Sequence, residues 1–238
     1  MNYIKIVINE LGAIQTNCYF IINENIGEAL IVDPADKADY IISKCAELQI
    51  KPAAILLTHG HFDHIGAAGR LKEAFNIPVY AGAAEKELLS DSRLNRSSIF
   101  GREPFTEEAD VWLSDGETVE LAGITVKIIA TPGHTAGGIC FYIESENVLF
   151  SGDTLFSGSF GRTDLPTGSA ADLVSSIINK LFVYPDFSDE TKVYPGHGPE
   201  TSMGYEKKNN PVLTAAPAGA IPPASKQSEK RGALRGFP

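Results

Sequence analysis

Cysteine is scarce: Cys18, Cys45 and Cys140 are the only three, widely separated and without a CxxC pair. A disulfide framework of the kind that staples small secreted domains is thereby excluded, and so is a thiolate zinc site. The three read as small buried apolar residues. Long apolar runs are missing as well. Nothing approaches the ~20 residues that span a bilayer, and residues 1–10 lack the basic start and apolar stretch of a secretion signal. The expected compartment is the cytoplasm, with no membrane partner. Positive charge is also short: 20 Lys and Arg face 30 Asp and Glu, for a formal net charge of -10. No Lys/Arg stripe interrupts this balance within residues 1–208, so a phosphate backbone would be repelled over most of the surface and nucleic acid is not an expected partner.

What is present is the material of one folded domain. A chain of 238 residues, 43% hydrophobic and 21% charged, can bury a sizeable core. Apolar alternation predicts strands over 3–8, 18–22 and 29–33, then a helix over 36–48 with Ile41, Ile42, Cys45 and Leu48 at helical spacing. A short apolar run over 53–57 reads as a buried strand, and 65–75 as a helix. The polar stretch 90–110 matches neither period and reads as a long functional loop. Strand signals resume over 118–121, 124–130, 138–143 and 148–150, and a last strand is expected over 191–194. Between them 169–182 reads as a helix, opened by a capping box from Ser169 to Asp172. Two successive runs of strands and helices fit an α+β fold of αββα type, two mixed sheets face to face with helices outside. The catalytic domain is expected over 1–208. Residues 209–238, rich in Ala, Pro, Gly and Ser, cannot bury enough apolar area to offset chain entropy and are expected to form a disordered tail.

Histidine is the informative residue. The chain has five, and His59, His61 and His64 fall within six positions at the exit of the strand expected over 53–57. If His59 and His61 continue in extended conformation, their side chains leave on the same side ~7 Å apart at the backbone, a gap that two imidazoles can close onto one ion. Asp63 and His64 are neighbours and cannot share that orientation once the chain turns into a helix. They can serve a second ion, or Asp63 can cap the helix. Imidazole is the commonest metal ligand, and a cluster of imidazoles has little structural use. His134, Asp153 and His197 each follow an expected strand in a glycine-containing turn: Thr131-Pro132-Gly133-His134, Ser151-Gly152-Asp153 and Pro195-Gly196-His197-Gly198. Singly, each reads as a turn residue. Their common position at strand ends lets them converge on one edge of a sandwich.

These motifs in this order, T-H-x-H-x-D-H from Thr58 to His64, then T-P-G-H-T, G-D-T-L-F and P-G-H-G, resemble the metallo-β-lactamase superfamily over about residues 3–213. The string from Phe156 to Pro166, F-S-G-S-F-G-R-T-D-L-P, with G-H-G-P-E-T from Gly196 and Asn210-Pro211, is similar to the short glyoxalase II-like hydroxyacylglutathione hydrolases. The resemblance implies that His59, His61 and His134 hold one metal ion, that Asp63, His64 and His197 hold a second, and that Asp153 bridges them. It implies two divalent ions, zinc in the first place, with iron or manganese also suited to nitrogen and carboxylate ligands. It further implies attack of a metal-bridging hydroxide, oriented by Asp63 as a catalytic residue, on a small-molecule thioester such as S-lactoylglutathione. The same motifs also resemble persulfide dioxygenases, which use one iron and dioxygen.

The chain departs from the full-length enzymes in two ways. They carry a helical domain after the last metal histidine, where this chain has the 209–238 stretch. The family's lysine and tyrosine on the G-x-G-[KR] loop are matched by Arg162 and Asp164, and a later tyrosine by Pro199. The thiol end of the substrate is therefore expected to be held loosely. Arg162 either contacts a substrate carboxylate or pairs with Asp164. Tyr142, Phe156 and Phe160 are expected to pack in the core or in loops.

Overall fold

The computed structural model describes residues 4–100 and 103–215. Six strands form the first sheet in chain order: β1 (Ile4–Leu11), β2 (Thr16–Asn23), β3 (Glu28–Val32), β4 (Lys51–Leu56), β5 (Val79–Gly82) and β6 (Val111–Leu113). The β1–β2 and β2–β3 pairs are antiparallel, and the pairs from β3 to β6 are parallel. Parallel pairing needs crossovers, which carry α1 (Ala38–Glu47), α2 (Phe62–Ile65), α3 (Ala68–Phe75) and α4 (Lys86–Ser90). The second sheet is built from β7 (Thr118–Leu121), β8 (Ile124–Ala130), β9 (Ile139–Ile143) and β10 (Val148–Gly152). A separate hairpin follows, β11 (Leu155–Phe156) with β12 (Ser159–Phe160), and the sheet is completed by β13 (Lys192–Pro195) and β14 (Thr201–Ser202) in the order β14-β13-β10-β9-β8-β7. Helix α5 (Ala170–Ser175) covers it, with α6 (Met203–Asn209) and α7 (Val212–Ala215) at the end.

Alternation along the strands explains the four layers. On β2, Cys18, Phe20 and Ile22 pack with Ile41, Cys45 and Leu71 of α1 and α3. Tyr19 and Ile21 of the same strand pack instead with Val126, Ile128, Phe141 and Phe150 of the second sheet. On β9, Phe141 and Ile143 face that central layer, while Cys140 and Tyr142 join Leu173, Ile177 and Leu181 under α5. Both faces of each sheet are covered, so these strands read as continuous apolar runs. The three cores separate four layers, which is the expected αββα sandwich.

Several expectations change in detail. Of the helix expected over 65–75, α3 begins only at Ala68 and Ile65 ends α2, because the Ala67 N–H bonds to the Pro34 carbonyl of another segment; Gly66 allows that close approach, since a Cβ there would meet the Ala35 carbonyl. Ser169 does cap α5, its hydroxyl accepting from the Asp172 N–H, but the helix widens into a π-helix over Ser176–Leu181 that sets Ile177, Ile178 and Leu181 on the sheet. Packed structure also runs past residue 208. Asn210 is buried and bonds to the Ser159 carbonyl, and Val212 is buried in the third core. The rest of the expected tail, 216–238, lies outside the described residues. The strands β6 and β14 and the β11–β12 hairpin had no clear signal. Among the described residues no helix is long and apolar enough to cross a membrane.

Candidate metal centre

The segments leaving β4, β8, β10 and β13 meet at one edge of the sandwich, and there all seven expected side chains come together. His59, His61 and His134 form one group and Asp63, His64 and His197 another, with donor atoms in each within 4.8 Å of one another. His59, His64 and Asp153 form a grouping that overlaps both. His61 Nδ1 lies 2.9 Å from His134 Nε2, and His64 Nε2 3.4 Å from His197 Nε2. Asp153 spans the two groups: Oδ1 is 3.3 Å from His64 Nε2, while Oδ2 is 3.5 Å from His134 Nε2 and 3.6 Å from His197 Nε2. The capping alternative for Asp63 falls away, since His61 occupies the N-cap of α2 and makes no side-chain cap bond. Asp63 Oδ2 accepts from Thr16 Oγ1 at 3.1 Å and lies 3.4 Å from His197 Nε2.

Buried polar residues hold these donors in place. Asp33, at the end of β3, accepts the Thr58 N–H at 2.8 Å and the Thr58 hydroxyl at 2.6 Å, and its Oδ2 takes His64 Nδ1 at 2.9 Å. His64 Nδ1 must then carry the proton, which leaves the Nε2 lone pair for the centre. The Arg162 carbonyl does the same for His134, accepting from Nδ1 at 2.8 Å. Glu85, fully buried, accepts the N–H groups of Gly60 at 2.9 Å and Gly137 at 2.7 Å, tying the His59–His61 turn to the His134 turn. Burial pushes its carboxyl pKa up, against the pull of those two bonds. Asn17 Nδ2 donates to the carbonyls of Pro195 and Gly198, on either side of His197. Gly196 is required by close approach, because a Cβ there would meet Asp153 Oδ1 and the His64 ring. Asp33 and Glu85 escaped the sequence reading. Asp33 looked like the last residue of a strand, and Glu85, followed by Lys86 and Glu87, looks like any solvated charge.

Electrostatics divide the imidazoles. Burial, then the charge of His64 and His134, drives His59 well below the ordinary histidine range, and burial with His134 brings His61 down to about 3. His64 is pushed the other way: burial disfavours its charged form, yet Asp153, Asp63 and Asp33 around it prevail. Asp153 is likewise held well below the carboxylate range, because His64, His134 and His197 outweigh its burial. The carboxylates thus demand positive charge in a place where two histidines cannot carry it as protons. A divalent ion answers that demand. His59 Nε2, His61 Nε2 and Asp153 Oδ1 are buried with no hydrogen-bond partner, which would cost ~1–3 kcal/mol each if they stayed unmet. Nitrogen and carboxylate donors without thiolate fit a divalent first-row metal.

A cleft of about 560 Å³ opens on the cluster, bordered by His61, Asp63, His134, Asp153 and His197 on one side. Phe156 and Phe160, expected only to pack, line it, and Phe156 stands edge-on to His197 at 6.1 Å. Arg162 also borders it, with its guanidinium bidentate on Asp164, both bonds 2.7 Å. The stretch 91–110 forms no helix or strand among its described residues and supplies Arg96 and Phe100, the latter stacked on Phe62 at 4.7 Å.

Comparison with known proteins agrees with this geometry. Residues 11–202 match the metallo-beta-lactamase superfamily model. The chain is 39% identical to the "Probable metallo-hydrolase YqgX" of Bacillus subtilis over 204 residues, 85% of this chain and 94% of that protein. It is 36% identical to the hydroxyacylglutathione hydrolase GloC of Haemophilus influenzae over 217 residues, 89% and 99% of the two chains. Among solved structures, the B3 metallo-beta-lactamase BLEG-1 superposes with a TM-score of 0.82 at 42% identity, covering 88% of this chain and all of that one. TTHA1623 in a di-iron-bound form superposes with a TM-score of 0.77 at 34% identity, covering 87% and all. With the fold, the donor cluster and the sequence match in agreement, this chain belongs to the metallo-beta-lactamase superfamily.

Proposed function

We propose that the chain is a thioester hydrolase acting on S-lactoylglutathione or related hydroxyacyl thioesters, with two divalent ions, zinc in the first place. The observation that carries this reading is the pair of donor groups overlapping at Asp153. His59, His61 and His134 would hold one ion, Asp63, His64 and His197 the other, and Asp153 would be shared between them. The name of GloC, a hydroxyacylglutathione hydrolase, supports the substrate class.

Bound there, such ions would supply Lewis acidity, lowering the pKa of a water from ~15.7 towards neutrality and favouring charge on the thioester oxygen. The chain's own residues do the rest. Asp63 borders the cleft with Oδ2 held by Thr16, placed to accept a hydrogen bond from the attacking water and orient it. Glu85, Asp33 and Asn17 fix the turns from which the donors project, so little reorganisation is needed at the moment of reaction. The Phe156, Phe160 and Phe100 side chains give the cleft apolar walls that shed water from the acyl group. No nucleophilic cysteine competes, since all three thiols are buried. A thiol, with a pKa of ~8.5, leaves as thiolate without a dedicated general acid.

Metal analysis followed by a thioester panel tests the reading. Two ions per chain and oxygen-independent thiol release are expected. One iron per chain with oxygen consumption would instead favour a dioxygenase, which leaves one donor group without an ion. A β-lactam belongs in the panel because BLEG-1 is a B3 metallo-beta-lactamase. Turnover of the β-lactam but of no thioester by metal-loaded protein would overturn the reading.

A further inference from the structure

Two cations line the cleft among the described residues, Arg96 and Arg162. They differ in what they can still bind. The Arg162 guanidinium is engaged through both its Nε and one terminal nitrogen by Asp164. Arg96 Nε is buried with no hydrogen-bond partner. Asp164, the acid whose carboxyl senses the Arg96 charge, has both oxygens on Arg162. A guanidinium always carries its charge and has five donors but no acceptor, so a buried nitrogen of it facing no acceptor is a costly arrangement to keep.

The backbone shows that this arrangement is held in place. Arg96 sits in the left-handed region at φ 74°, where a side chain other than glycine is strained. The residues on either side of it, Asn95 and Ser97, are fully buried. Asn95 Nδ2 donates to the Phe105 carbonyl at 2.8 Å and its Oδ1 accepts the Ser97 N–H at 2.8 Å, while the Ser97 hydroxyl donates to the same carbonyl at 2.9 Å. The Asn95 carbonyl accepts the N–H of Phe62, the residue between His61 and Asp63. The turn that carries Arg96 is therefore fastened directly to the segment that carries metal-site donors. The backbone from which Arg96 projects is fixed to that segment by short, buried bonds.

We infer that Arg96 is the anion anchor of the cleft and that it recognises a carboxylate on the substrate. The proposal rests on the thioesterase reading for its substrate, and its binding arm stands apart from turnover. A guanidinium whose Nε has no acceptor can take a carboxylate with parallel N–H bonds from Nε and a terminal nitrogen. Arg96 comes from the 90–110 stretch read as a functional loop, and a carboxylate on the thiol half would tighten the thiol end that was expected to be loosely held.

The test compares native protein with Arg96→Gln, which keeps a Cβ at the strained position, on three lactoyl or succinyl thioesters. S-lactoyl-N-acetylcysteine has its carboxylate on the thiol half, S-succinyl-N-acetylcysteamine has it on the acyl half, and S-lactoyl-N-acetylcysteamine is neutral. The variant should raise KM for one charged ester roughly 10- to 100-fold with kcat little changed, while the neutral ester moves less than ~3-fold. The ester that responds identifies the half carrying the carboxylate, and Arg96→Lys should recover part of the loss. Equal effects on charged and neutral esters, or none, overturn the assignment. In parallel, calorimetry with free N-acetylcysteine and N-acetylcysteamine reads binding without turnover. A preference of about tenfold or more for the carboxylate form, lost in Arg96→Gln, upholds the anchor even if no thioester is hydrolysed, and that result would sink the thioesterase reading alone. If native protein binds both thiols alike and no charged ester responds, the anchor is overturned.

Discussion

Replacing Asp33 with asparagine isolates the contribution of a residue that touches no metal-site donor except His64. The native carboxylate accepts from three donors: the Thr58 N–H, the Thr58 hydroxyl and His64 Nδ1. An asparagine offers one oxygen and one NH2 in the same space. If the NH2 replaces Oδ1, it faces the Thr58 N–H and a buried donor is left unmet. If it replaces Oδ2, it faces the hydroxyl and His64, and the imidazole must present its lone pair at Nδ1 and its proton at Nε2, towards the donor cluster. The first arrangement costs about 1–3 kcal/mol, a melting decrease of roughly 2–12 °C for a chain of this size. The second removes a donor outright, and loss of such an outer partner lowers metal affinity about 10- to 100-fold. Thermal melts with chelator report the first cost, and competition against a chelator of known affinity reports the second. Asp33→Asn protein with native melting temperature and native metal affinity would refute the argument that Asp33 sets the His64 tautomer.

Asp153→Ala should cost more activity and more bound metal than Asp63→Asn, because Asp153 reaches both donor groups whereas asparagine keeps the volume and one oxygen at Asp63. Metal content per chain and kcat decide the order, and native metal content in Asp153→Ala would remove Asp153 from the centre. Burial pushes the Cys45 and Cys140 thiols up to about 11 and raises Cys18 well above the ordinary thiol range, so at pH 8 only about one Cys45 or Cys140 thiol in a thousand is thiolate. A disulfide reagent should label none of the three in native protein and all of them in denaturant, and rapid native labelling would contradict the packing. Asn210→Ala should destabilise by about 1–3 kcal/mol in urea melts, since Asn210 donates to Glu206, itself fully buried, and to the Ser159 carbonyl. A change under ~0.5 kcal/mol would show that the segment after 208 is not part of the packed domain.

The layered fold was legible because its strands are buried on both faces, and a run such as Cys18 to Ile22 announces that directly. The donor cluster was legible because three histidines crowd into six positions and the other donors each follow a strand. What escaped were features created by tertiary approach. Nothing local marks Gly66–Ala67 as the place where a helix is interrupted, since the Ala67 N–H is taken by the Pro34 carbonyl of another segment. Glu85 lies 25 residues from Gly60 and 52 from Gly137, and its role exists only once those turns are folded against it. Arg96 escaped for a further reason: a stretch held by side-chain bonds such as those of Asn95 and Ser97 has no hydrophobic period to read.

The first sheet takes its strands from the chain in strict order, β1 to β6, and is complete at Leu113. A growing chain can therefore close that sheet, with α1 and α3 on its outer side, before any strand of the second has been made. At that moment Tyr19, Ile21, Leu30, Val32 and Leu56, the lining of the central core, face nothing. His59, His61, Asp63 and His64 have by then been synthesised, while His134, Asp153 and His197 have not. The half-made protein thus presents a bare apolar face and four of the seven donors together, and an ion met at that stage finds an incomplete set that the arrival of the second sheet both covers and completes.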